Sequence, residues 1–480
     1  MSVGVAPYPE MIASGHPLVG DIPAHWALRE LGQLGRLAKG KGGSKDDEVV
    51  GGVPCVRYGD LYTTHTQFIE QTRASISPER AQDYTRVTYR DALFAASGET
   101  IEEIGKSAVV LVRSEICCGG DVLVFRPAGQ GLDARFLGYA LDSWPSVAQK
   151  SLMGRGFTVV HIYASELKRL AFAVPTMAEQ RSIVKFLDYT GQRIGAYLRA
   201  KGRLINLLNE QKQASIYQSV TRGLDPFVPV KSSGVDWLGD IPQHWTLSRS
   251  RRLFSVRKEL AGPDDVQLSA TQAYGVIRQS DYEERVGRRV VKISMHLERR
   301  KHVEKDDFVI SMRSFQGGLE RAWVSGAIRS SYIVLKPIPI VDVEFFSYLF
   351  KSKGYIGALQ ATADFIRDGQ DLTYDNFRQV DLPLIPLDEQ RAIAAYLSNL
   401  TAGIDLSISR LRRELDLIRE FRTRLIADVV TGKLDVRTAA AALPDEVIES
   451  EDLTADLASH GLDRAVDPED TEAQLEEVGE

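Results

Sequence analysis

The residues of this chain best placed to do chemistry are its clustered cations. Arg285, Arg288, Arg289, Lys292, Arg299, Arg300 and Lys301 fall in one stretch whose only acid is Glu298. Arg249, Arg251, Arg252, Arg257 and Lys258 lie shortly before it, and Lys39, Lys41 and Lys45 sit in a glycine-rich loop followed by Arg57. Fixed positive charge of this kind neutralises phosphates, and arginine also offers paired donors to a base edge. A run of charge is ordinarily just solvated surface. Basic groups in two separate regions nevertheless point to nucleic-acid contact. The candidate contacts are Lys39, Lys41, Lys45, Arg57, Arg251, Arg252, Arg278, Arg288, Arg289, Arg299, Arg300 and Lys301. Arg313 and Gln316 join them, because they fall in a polar, glycine-bounded turn after the apolar Phe308-Val309-Ile310. Arginine suits guanine and glutamine suits adenine; a pairing of Arg313 with Glu320 is the plain structural alternative.

Catalytic patterns are absent or incomplete. Gly35 to Lys41 has phosphate-loop spacing, but Gly42 stands where Ser or Thr would hold magnesium. Gly105-Lys106-Ser107 has the ending of such a loop, but Thr100 replaces its first glycine. No Asn-Pro-Pro-aromatic tetrapeptide of an amino-methyltransferase occurs. His25 and His244 each precede a tryptophan without a nearby nucleophile, and read as packing or hydrogen-bonding residues. Cys55, Cys117 and Cys118 are an odd count with no zinc-like spacing, and are expected to be buried thiols.

The elements that must position these residues are duplicated. Gly20-Asp21-Ile22-Pro23-Ala24-His25-Trp26 returns as Gly239-Asp240-Ile241-Pro242-Gln243-His244-Trp245, 219 positions later. Glu179-Gln180-Arg181 returns as Glu389-Gln390-Arg391, 210 positions later, as do Arg126-Pro127 in Lys336-Pro337 and Thr221 in Thr431. The chain is a tandem repeat. Its insertions and deletions concentrate between about residues 27 and 125 of the first copy, the part expected to differ in task between copies.

Met177–Arg222 and Asp388–Thr431 contain no proline and are expected to be long helices. Thr176 and Glu179 have capping-box spacing, and Asp388 and Glu389 place negative charge on the second helix's first turn. Ile404, Ile408, Leu411, Leu415, Ile418, Leu425 and Val429 form a heptad seam broken only by Arg422. In the first helix Ile194, Leu198, Ile205 and Leu208 keep a seam that Lys201, Lys212 and Ser215 interrupt. Before each helix, β-branched runs read as strands: Ala108–Val112, Val122–Phe125 and Tyr332–Leu335.

The net charge of −6 hides a division. Pro444 to Glu480 carries fourteen acids against Arg464 alone, so the preceding residues are mildly basic. That tail is expected to be disordered, with occupation of a basic groove or a partner surface as the functional alternative. No run of eighteen apolar residues occurs, and a cytoplasmic protein without a membrane segment is expected.

The repeated GDIP-x-HW and EQR motifs and the helix endings Thr221-Arg222-Gly223-Leu224-Asp225 and Thr431-Gly432-Lys433-Leu434-Asp435 resemble the specificity subunit of Type I restriction–modification enzymes. Leu268 to Ile277 and Ser311 to Gly318 are similar to that family's target-recognition domains. The resemblance spans residues from about 15 to 437. It implies an α+β fold: two mixed, β-rich target-recognition domains (1–175 and 223–385) in pseudo-twofold tandem repeat. Two long antiparallel coiled-coil helices (176–222 and 386–433) would separate them, followed by the acidic tail (434–480). Double-stranded DNA, two methyltransferase (modification) subunits and restriction/translocase subunits are the implied partners. The chain itself would be non-catalytic and bind no cofactor; S-adenosylmethionine, ATP and Mg2+ would belong to partner subunits. Each domain would read one half of a bipartite asymmetric site, with the helices setting the spacing. An enzyme with fused catalysis and a coiled-coil scaffold without DNA binding are the competing classes.

Overall fold

The computed structural model describes residues 5–43, 45–156, 158–287, 289–290, 299–311, 314–362 and 372–444. These form two compact units, and the division cuts through both long helices. The first unit is built on residues up to 200 and from 413 onward, the second on residues 201–412.

The helices span Met177–Arg222 and Leu387–Val430, each within a residue of its proline-free segment, and the second stops three residues before 433. Both stop at a glycine in the left-handed region, Gly223 (φ 77°) and Gly432 (φ 76°), where a Cβ would be strained. In the first unit Tyr197 donates to Glu414, while Ile183, Phe186 and Leu187 share a core with Ile426, Val429 and Val430. In the second, Lys212 reaches Asp405 at 2.7 Å, while Ile216 and Val220 share a core with Ile393, Ala394 and Leu397. The pairings run in opposite chain directions, so the two helices lie antiparallel within each unit. Every member of the second helix's seam is buried or half-buried, and Arg422 is exposed. Lys201, Lys212 and Ser215 are half-buried too: the polar interruptions of the first helix lie on its seam face.

Each unit carries a common antiparallel kernel of three strands. In the first, Gly35–Lys39 pairs with Val122–Pro127, which pairs with Ala92–Ala95. In the second, Phe254–Val256 pairs with Ile333–Pro337, which pairs with Phe308–Ile310. Ser107–Val110 and Phe68–Ile69 extend the first kernel to five strands, and Glu320–Arg321 extends the second to four. The first unit adds a four-stranded sheet of Ala74–Ile76, Glu48–Val56, Ile116–Cys118 and Thr85–Val87. The second has hairpins Leu268–Thr271 with Gly275–Arg278, and Lys301–Val303 with Gly326–Ile328. The expected strands are present, and all three cysteines are free and buried.

Two helices follow each kernel. Ala134–Asp142 and Val343–Phe350 are capped by Asp133 and Asp342, whose carboxylates accept backbone N–H groups of the first turn. Trp144–Met153 and Lys353–Gln360 follow, entered through Ser143 and Ser352. Here the copies differ in their cores: Lys150 is fully buried where the second copy places Leu359. Its ammonium donates to Ser107 Oγ (3.2 Å) and the Leu141 carbonyl (3.1 Å). Burial pulls the Lys150 pKa down to about 8, against the opposing pull of Asp142. A folded pKa below the unfolded one means that burial of the charged form costs stability below about pH 8. That cost fades as pH rises toward the ordinary lysine range. Stability of the first unit should therefore gain an increment between pH 8 and about 10 that Lys150→Met lacks, as denaturant titrations at both pH values would read.

Residues 434–444, placed by sequence at the start of the tail, are ordered. Asp435 N–H donates to the Ala6 carbonyl at 2.8 Å, and the helix Arg437–Ala441 buries Ala439 and Ala440 beside Val436. The alanine-rich run supplies small apolar side chains to that core. The rest of the expected tail, 445–480, lies outside the described residues.

Gly432 also meets its surroundings closely: a Cβ there would lie 2.3 Å from Pro23 Cδ and 3.0 Å from Trp26 Cζ3. Gly432→Ala should destabilise by more than about 1 kcal/mol. Gly403→Ala, in helix interior with nothing within 4 Å, should stabilise by about 0.5–1 kcal/mol. Thermal unfolding of both variants would check the opposite signs.

Candidate nucleic-acid interface

The repeated motifs meet in space and build one frame twice. His25 Nε2 and Trp26 Nε1 lie 2.8 and 3.3 Å from Glu179 Oε1, and Thr176 Oγ1 donates to the other oxygen at 3.0 Å. His244 Nε2 and Trp245 Nε1 lie 2.8 and 3.1 Å from the two carboxylate oxygens of Glu389. Burial works to raise the Glu179 carboxyl, but donation from His25, Trp26 and Thr176 outweighs it and holds its pKa below the usual value. The neighbouring amides do the same work in each copy. Gln180 accepts from Asp133 N–H (2.7 Å) and donates to the carbonyls of Gly131 and Pro175. Gln390 accepts from Asp342 N–H (2.8 Å) and donates to the carbonyls of Ile340 and Ile385. The histidines are thus hydrogen-bonding members of a frame, as expected from their setting.

Above each frame the kernel strands also correspond. Asp91 and Asp307 are buried just before the third kernel strand, each following a residue with positive φ, Arg90 (77°) and Asp306 (73°). Each holds an arginine through two nitrogens: Arg126 on Asp91 at 2.7–3.2 Å, and Arg257 on Asp307 at 2.6–3.1 Å. Arg257 also meets Glu304 and Glu259, and the paired Asp307 carboxylate above all holds its guanidinium in the charged form. This member of the basic run is a buried structural charge.

The predicted contacts fall into three groups. Lys39, Lys41, Arg251, Arg252, Arg278, Arg289, Arg299 and Gln316 are exposed. Arg57 is half-buried and pairs with Glu48 at 3.1 Å. Arg300 and Lys301 turn inward. Burial and then the neighbouring Arg329 lower the Arg300 pKa, while burial lowers that of Lys301, whose ammonium donates to the Tyr332 carbonyl at 2.5 Å. Lys45 opens a short 3-10 helix, Lys45–Asp47. Arg288, Lys292 and Arg313 lie outside the described residues; Glu320, the alternative partner of Arg313, meets Lys351 at 2.7 Å.

Strand register adds a residue left off the candidate list. Pro127 and Pro337 occupy matching kernel positions, facing Gly35 and Phe254. Counting along each edge strand places Lys39 and Lys258 at the same site, both exposed at its end. Their separation of 219 positions, shared with the GDIP motif, is the sequence signal that singles out Lys258.

In the second unit the two motifs Leu268–Ile277 and Ser311–Gly318 converge. Gly317 has no side chain where Gln272 packs: a Cβ there would lie 2.6 Å from Gln272 Cδ. Lys351 donates to the Gln272 carbonyl (3.4 Å) as well as to Glu320. The hairpin turn is tied by Tyr274 N–H on Thr271 Oγ1 (3.0 Å), and Gly275 approaches the half-exposed Trp323. Arg285 stacks on Tyr274 at 4.8 Å and Arg321 on Trp323 at 4.5 Å. The amide of Gln272 thus lies against the glycine next to the exposed Gln316, on the hairpin that also carries Tyr274. Glu259, His302 and Glu304 also cluster, but Arg257 and Asp265 already engage them.

Comparison with known proteins agrees with this architecture. The Type I restriction modification DNA specificity domain matches residues 23–199. A Methanocaldococcus jannaschii chain named as the specificity subunit of the type I restriction enzyme MjaX is 23% identical over 432 residues, covering 88% of this chain and 96% of its own length. The MjaVIII specificity subunit of the same organism is 21% identical over 446 residues, covering 87% and 94%. A solved chain from a study of complex assembly and conformational transition in the type I R-M system shares the fold. Its TM-score is 0.63 at 15% identity, over 85% of this chain and 98% of that one. With its duplicated frame and its two long helices, the chain is similar over most of its length to specificity subunits of Type I restriction–modification systems, and residues 23–199 match that family's DNA specificity domain.

Proposed function

We propose that each unit binds one half of a bipartite, asymmetric double-stranded DNA site, and that the chain gathers two modification subunits and the restriction subunits around it. The observation that carries this reading is the contrast within each copy. The His–Glu, Trp–Glu and Gln contacts of the frame recur in both copies, whereas the strands, hairpins and loops above the kernels differ. A shared frame suits two copies of one partner, and divergent faces suit two different half-sites. In this reading the exposed Lys39, Lys41, Lys258, Arg251 and Arg252 hold phosphates, and the exposed Gln316 reads a base edge. The family names support a non-catalytic role, and in this reading S-adenosylmethionine, ATP and Mg2+ are handled by the partner subunits.

Exchanging residues 246–380 for those of a relative should change one half-site and leave the other intact, because the first unit and both helices are untouched. Methylome sequencing of cells carrying the chimera would read the outcome. Altered recognition in both halves would overturn independent reading.

A further inference from the structure

The two registers of the repeat collide at one residue. Phe227 lies 219 positions after Tyr8, the register of the GDIP motif, and 210 before Arg437, the register of the EQR motif. In the first unit those positions come from opposite chain ends and work together. Tyr8 is 4% exposed and packs on His25 (5.7 Å) and Trp26 (5.5 Å). The Arg437 guanidinium covers its ring at 5.1 Å and reaches the frame carboxylate Glu179 at 3.7 Å. Asp435 accepts from Arg437 N–H at 3.0 Å, a turn that sets the arginine in place.

In the second unit the chain is continuous here and supplies one residue for two positions. Asp225 accepts from Phe227 N–H at 2.9 Å, the same turn, but the residue it sets in place is aromatic rather than cationic. Phe227 is 89% exposed, with Leu224 and Val230 exposed beside it in sequence. The Glu389 side chain is 29% exposed against 7% for Glu179, and among the described residues it meets His244 but no arginine or lysine. A carboxylate, an uncovered ring and an apolar margin are left without the arginine-bearing turn that completes the same frame in the first unit.

We propose that the exposed Phe227, together with the His244–Glu389 pair of its frame, docks an arginine-bearing, apolar helical turn of a modification subunit, which supplies in trans what residues 434–441 supply to the first unit in cis. The inference rests on the reading of this chain as the subunit that gathers modification subunits. The first unit's own turn is tethered, so it competes at an effective concentration that a free partner does not match. The first unit therefore offers its modification subunit a frame already completed in cis, and the second a frame that its modification subunit completes.

A fluorescent peptide of residues 433–443, titrated into the full chain and followed by anisotropy, tests the chemistry. Saturable binding is expected, weakened about tenfold by Arg437→Ala in the peptide or by Phe227→Ala in the chain, the scale of one desolvated cation–π contact. No binding, or binding indifferent to both changes, overturns the proposal. Native mass spectrometry of the assembled complex tests the source of the turn: the Phe227→Asp chain should carry one modification subunit where the unaltered chain carries two. Two copies on both would overturn it. Duplex binding by the Phe227→Asp chain should stay unchanged. Failure of the unaltered chain to bind duplex or any modification subunit would instead strike the underlying functional reading, leaving the peptide result to judge the docking face.

Discussion

Replacing Trp245 by alanine should lower the stability of the second unit by about 3–5 kcal/mol, the scale of deleting a large buried aromatic. Trp245 is fully buried among Ile216, Val220, Leu238 and Ile393, at the point where the end of the first helix meets the start of the second. Its removal leaves a cavity that residues anchored in two helices fill poorly, and strips Glu389 of a donor at 3.1 Å. A Cβ built on Gly223 would lie 3.5 Å from the ring, so the helix terminus borders the cavity and loses support as well. Hydrogen exchange should show the loss spread along residues 216–223 and 389–397, with the first unit protected as before. A loss under about 1 kcal/mol would mean that the frame is not a principal support of the unit.

Arg257→Leu should cost about 3–5 kcal/mol, because it strands the buried Asp307 carboxylate without its partner. Burial pushes the Asp307 pKa up and the arginine pulls it down, so removing the arginine leaves the Glu304 backbone N–H alone to oppose burial and the neighbouring Glu304 charge. The variant should unfold at lower denaturant. Arg251→Ala and Arg252→Ala, exposed on a short turn, should leave stability within about 0.5 kcal/mol. In duplex-binding titrations those two should instead reduce the salt slope by about one each if they hold phosphates. A reversed pattern, with Arg257→Leu stable and the salt slope falling, would place Arg257 on the DNA.

The basic run shows why charge alone misleads. In sequence Arg251, Arg252, Arg257 and Lys258 are equivalent cations. Strand pairing buries Arg257 against three acids drawn from beyond it in the chain, and leaves Lys258 at the open end of an edge strand. Arg300 and Lys301 turn inward while Arg299 stays exposed, a distinction made by the strand that begins at Lys301. None of these fates has a local signature, since each depends on which acid or carbonyl a distant segment delivers.

The sequence by itself determined the duplication, both long helices and the residues that recur, because helix periodicity, proline exclusion and repeated motifs are properties of neighbours along the chain. It also marked His25 and His244 as hydrogen-bonding residues and the three cysteines as buried thiols. Only the tertiary structure joined Trp26 to Glu179 and Trp245 to Glu389, and only it brought Gln272 onto Gly317. It alone placed Asp435 beside Ala6, closing the first unit with both chain ends where the second is closed by a continuous backbone. Contacts across more than a hundred residues are set by packing of whole elements, and a buried donor or acceptor accepts whichever partner that packing supplies.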